Sequence, residues 1–94
     1  MKYYSVILDR EPLKSYKKFH EDFVSHPKIK KWWHYIKTMY IVGTDLSAKE
    51  LSNHLTECLK TNTLKIRHLV IKVDLNDRQG RLPDDAWEWI KKNS

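Results

Sequence analysis

The stretch Lys28-Ile-Lys-Lys-Trp-Trp-His-Tyr-Ile-Lys-Thr-Met-Tyr-Ile-Val-Gly43, KIKKWWHYIKTMYIVG, decides the fold. From residue 31 to residue 43 it is a continuous β-rich run, longer than most single strands. Lys37-Thr38 is its most polar central point, so it reads as two antiparallel strands, about 31–36 and 39–43. Side chains alternate along an extended chain, which puts Trp32, His34 and Ile36 on one face and Trp33, Tyr35 and Lys37 on the other. Both faces therefore carry rings. One can pack on helices, and the other has to meet water, a partner chain or nucleic acid.

Upstream, Tyr3-Tyr-Ser-Val-Ile-Leu8 is dense in β-formers and closes on Asp9-Arg-Glu-Pro12, where Pro12 suits the first turn of a helix. Leu13, Tyr16, Phe19, Phe23 and Val24 recur near helical spacing, predicting a helix from Leu13 to about Ser25 that His26-Pro27 ends. Downstream, Gly43 and Asp45 end the β run. Ser47-Ala-Lys-Glu50 then forms a capping box for a helix with Ala48, Leu51, Leu55, Cys58 and Leu59 on one face, stopped near Asn62. Residues 64–75 read as a long strand whose apolar residues switch parity near Leu69, as a bulge or a strand covered on both faces requires. Pro83 opens a short final helix containing Trp87 and Ile90. The order β-α-β-β-α-β plus a helix predicts an α+β, ferredoxin-like fold with an antiparallel four-stranded sheet. Residues 1–94 form one domain in this reading, with 83–94 a C-terminal helical extension.

Ninety-four residues suit one small core, and 40% hydrophobic content with four tryptophans makes disorder a poor description. So small a fold leaves apolar surface uncovered, and a second copy is the expected remedy, shielding the aromatic face that the helices leave free. A single cysteine, Cys58, excludes an intrachain disulfide and fits a reducing compartment. With no long apolar run and no signal-peptide core, the expectation is a cytoplasmic protein with no membrane partner. The net charge of +6 is uneven: residues 1–40 hold nine Lys/Arg against four Asp/Glu, and residues 41–94 nine against eight. That asymmetry favours a polyanionic partner, against the alternative of a lysine-rich solubilising surface.

Candidate nucleic-acid-binding residues follow from that charge. Arg10, Lys28, Lys30, Lys31 and Lys37 can neutralise phosphates, and Trp33 among them offers a ring for base stacking. Lys14, Lys17 and Lys18 read instead as a solvated helix face, and core or dimer burial competes with stacking for the tryptophans. Asp9, at the carboxyl end of the first strand, is a candidate metal ligand. Equally, it could form an Asx-turn or cap the helix opening at Pro12. Glu11 reads as a first-turn acid on the helix dipole. His34 and His68 read as ordinary strand histidines, and Cys58 as an apolar-face residue without a base beside it. No glycine-rich phosphate loop, HExxH or recognisable Ser/His/Asp context is present.

Trp32-Trp-His34 followed by Tyr40-Ile-Val-Gly-Thr-Asp-Leu-Ser-Ala-Lys-Glu50 resembles the small SinR-like proteins. These share a fold with the CRISPR-associated spacer-adaptation subunit and VapD toxins. Asp9 and the tail Asp85-Ala-Trp-Glu-Trp-Ile-Lys91 extend the similarity over most of the chain. The resemblance implies a ferredoxin-like homodimer whose sheet faces approach each other. It also implies a metal-dependent endonuclease as the leading activity, with Asp9 of each subunit as catalytic carboxylate and Mg²⁺ as cofactor. Other members hold nucleic acid or protein without catalysis. A non-catalytic nucleic-acid-binding module, or a regulator or inhibitor acting on a protein partner in a host-defence or mobile-element setting, is therefore the alternative. An RRM-like reader fits less well, because Met39-Tyr-Ile-Val-Gly43 lacks the expected glycine and aromatic spacing.

Overall fold

A computed structural model describes residues 1–94. Its elements run β1 Lys2–Leu8, α1 Lys17–Val24, β2 Ile29–Ile36, β3 Met39–Thr44, α2 Ala48–Thr61, β4 His68–Lys72 and α3 Asp84–Asn93. The strands form one antiparallel sheet in the order β2-β3-β1-β4, so β2 and β4 are its edges. The β run does divide at Lys37-Thr38, with Ile36 paired to Met39. No helix is long and apolar enough to cross a membrane.

Alternation along the strands builds two cores. Tyr4, Val6 and Leu8 of β1 and Tyr40 and Val42 of β3 point to one face, where they meet Phe19 and Phe23 of α1 and Leu51, Leu55 and Leu59 of α2. The capping box forms as expected: the Glu50 N–H donates to Ser47 Oγ at 3.1 Å, and the Ser47 N–H donates to Glu50 Oε1 at 3.0 Å. On the opposite face Trp33 and Ile41 pack with Leu75, Ala86 and Ile90. Here the structure departs from the expectation of a twin: α3 itself covers the β2–β3 half of this face. Trp33 is only 2% exposed, and its indole N–H donates to the Ala86 carbonyl at 3.3 Å.

Two further expectations need correction. The first helix begins at Lys17, four residues later than its apolar spacing suggested, because residues 11–14 form a turn and Leu13 is fully exposed. Tyr16 supplies the anchor there: its hydroxyl accepts the Glu11 N–H at 2.8 Å while the Arg10 guanidinium lies 4.0 Å above its ring. The long strand over 64–75 is five residues, His68–Lys72. Its parity switch reflects two destinations rather than a bulge, since Leu64 and Ile66 pack into the helix-side core while Val73 and Leu75 join the cluster under α3.

Candidate nucleic-acid interface

The β2 edge carries the basic and aromatic residues that the sequence singled out, but it sorts them into three places. Lys30 and Lys31 lie at the start of β2, with Lys28 just upstream in the turn, its N–H donating to His26 Nδ1 at 3.0 Å. Arg10 and Lys37 lie at the opposite end of the strand, about 20 Å away at the usual rise per residue. There the Arg10 guanidinium donates to the Lys37 carbonyl at 2.9 Å, and His34 Nε2 donates to the same oxygen at 3.1 Å. Trp33 is enclosed beneath α3. Its ring serves packing and cannot reach a base.

Two tryptophans take the place assigned to Trp33. A surface cleft of about 340 Å³ is lined by Lys30, Lys31, Trp32, Trp89, Lys92 and Asn93. The lysines come from the edge strand and from the last turn of α3, and no carboxylate lines the cleft. Asn93 ties the halves together: its Oδ1 accepts the Lys31 ammonium, and its amide N–H donates to the Trp89 carbonyl at 2.7 Å. Trp89 also meets Tyr3 edge-to-face at 6.2 Å. The sequence places Trp32 and Trp33 on opposite faces without fixing which meets the helices, and gives Trp89-Ile-Lys-Lys92 no contact. The signal was the recurrence of aromatics beside lysines in both segments, yet only the tertiary fold brings them together.

On the helix-facing side, His20, His34 and Tyr40 form a ring cluster beside Trp32. Tyr40 and His34 stack at 4.0 Å, and the Tyr40 hydroxyl lies 2.6 Å from His20 Nδ1. Burial pushes the Tyr40 phenol up to about 12, so it keeps its proton and remains a neutral partner in the hydrogen bond with His20. His34 and His68 lie on opposite edges of the sheet, and burial lowers both imidazoles below the ordinary histidine value. Burial likewise pushes the Cys58 thiol up to about 11, which keeps it protonated at neutral pH.

Asp9 lies just beyond β1, exposed to solvent, beside a depression of about 480 Å³. Its Oδ2 accepts from Arg67 Nη2 at 3.0 Å and from Arg67 Nε at 3.2 Å, and its own N–H donates to the Arg67 carbonyl at 3.0 Å. No group of three His, Cys, Asp or Glu side chains is placed to hold a metal ion. One chain thus supplies a single carboxylate, one oxygen of which already accepts from the Arg67 guanidinium. That donor set does not fit Mg²⁺ on its own. Comparison of the chain with protein-family models, curated proteins and solved structures gives no match.

Proposed function

We propose that this chain is a non-catalytic nucleic-acid-binding module of ferredoxin-like architecture that works as a homodimer. The observation that carries the reading is the convergence of Lys30, Lys31 and Lys92 on one cleft that no carboxylate lines. Three ammonium groups so placed attract a phosphate chain and release its counterions, whereas a general solubilising surface interleaves both signs. The SinR-like resemblance supports it, since relatives in that wider group include holders of nucleic acid. The nuclease reading asks more of the site. A metal there has to share Asp9 with the Arg67 guanidinium, and a second carboxylate has to come from another copy.

Fluorescence anisotropy with a labelled oligonucleotide across a salt series tests this. Changing Lys30, Lys31 and Lys92 together to Glu is expected to weaken binding at least about ten-fold and to flatten the salt dependence by about one unit of slope per lost phosphate contact. Lys14→Glu, Lys17→Glu and Lys49→Glu together, all at exposed positions away from the cleft, serve as the charge-matched control. Unchanged affinity in the triple variant removes the cleft from the function. Mg²⁺-dependent cleavage that Asp9→Asn abolishes restores the nuclease.

A further inference from the structure

Building on the nucleic-acid reading of this cleft, we propose that its ligand is single-stranded and crosses the sheet edge with one unpaired base on Trp32 and another on Trp89. The two indoles flank the edge strand from opposite sides. Trp32 shares the register of Val42, on the α1–α2 side of the sheet, while Trp89 belongs to α3, which covers the other side. Lys30, Lys31 and Lys92 lie with them around the same cleft. A backbone passing over the edge of β2 therefore meets ammonium groups along its path and a ring at each side.

The rings are available for this. Trp32 is 42% exposed and Trp89 half-buried along the α3 cluster, and each indole has one aromatic neighbour, met edge-to-face: His20 at 4.9 Å for Trp32 and Tyr3 at 6.2 Å for Trp89. Neither is stacked in parallel on another ring. A duplex cannot use them, because its base faces are already stacked on one another and a ring at a sheet edge would find only sugar and phosphate. An unpaired base offers its whole face, and every base has one, so such a platform tolerates sequence. RNA and DNA present the same chemistry here.

The test compares four labelled polymers of equal length by anisotropy: oligothymidylate, oligouridylate, an abasic phosphodiester and a duplex. At least one of the single strands is expected to bind about ten-fold or more tighter than the abasic polymer and the duplex. Trp32→Leu and Trp89→Leu should each cost about five-fold or more for that strand, leave the abasic polymer unaffected and keep the salt slope. Trp32→Phe and Trp89→Phe, which keep a ring and the packing on His20 and Tyr3, should recover part of the loss and show that folding is not the cause. Abasic or duplex binding equal to that of the single strands overturns base stacking while leaving the lysine reading intact. No binding by any polymer overturns both.

Discussion

Thr63 holds the one positive φ among non-glycine residues, 57°, directly after α2. The hydrogen bonds explain why it is tolerated. The Leu64 N–H donates to the Leu59 carbonyl at 2.9 Å and the Thr63 N–H to the Lys60 carbonyl at 3.1 Å, the paired bonds of a Schellman ending, which also buries Leu64. A β-branched residue is a poor occupant of that left-handed position, so Thr63→Gly is expected to stabilise the fold by about 1 kcal/mol in denaturant unfolding. An unchanged or lowered midpoint counts against this account. A second residue-level expectation concerns acid. Burial lowers the pKa of His34 and His68 in the folded chain, while in the unfolded chain they take protons near 6.5. Below that value the unfolded state binds more protons. The stability they contribute is thus complete above about pH 6.5 and is lost as pH falls through the folded pKa values. Melting temperature should be level above that point and fall below it, ahead of the carboxylate range, and replacing both histidines with Gln should reduce this early decline, leaving the share of His26, whose pKa burial also lowers.

At the scale of elements, local contacts were legible and distant ones were not. Ser47 and Glu50 lie three apart, so the pair that closes the cap is written within one turn. Lys37-Thr38 interrupts a β run in place, so the hairpin could be read there as well. The cover over Trp33 could not, because alternation shows only that its ring lies opposite Trp32, and the helix that receives it begins at Asp84. The same distance hid the cleft: Lys30 and Lys31 were visible as candidates, whereas Lys92 and Trp89 joined them only through the docking of α3. That docking is testable. Ile90 is 5% exposed within the α3 cluster, and Ile90→Ala is expected to cost about 2–4 kcal/mol. Because Trp33 lies beneath, its emission should shift to the red when α3 loosens. A small loss with no spectral change would mean that α3 contributes little to covering the sheet.

For the molecule as a whole, α3 covers the β2–β3 half of the second face and leaves the β1–β4 half open. Ile7, Leu69 and Ile71 stand there 41%, 55% and 50% exposed, with Ile7 directly paired to Leu69. The adjoining edge of β4 is free. The Asp9 N–H reaches the Arg67 carbonyl and the Val73 N–H the Tyr3 carbonyl, so odd-numbered residues bond inward to β1, and His68, Val70 and Lys72 turn their N–H and C=O groups outward. Laid antiparallel to itself about Val70, this strand pairs His68 with Lys72 and sets Leu69 of one copy beside Ile71 of the other. The match is self-complementary, so the proposed homodimer could use this edge to join two sheets into one. If the proposed homodimer forms through this edge, its contact is strand to strand, unlike the facing sheets that the resemblance implies. Light scattering across a concentration series should therefore give twice the 11.4 kDa chain mass. Val70→Pro removes an outward N–H and no bond to β1, so it should yield a folded monomer. A wild-type chain that stays monomeric would instead make Lys72 a guard on a short, protected edge, and a Val70→Pro dimer would place the contact elsewhere.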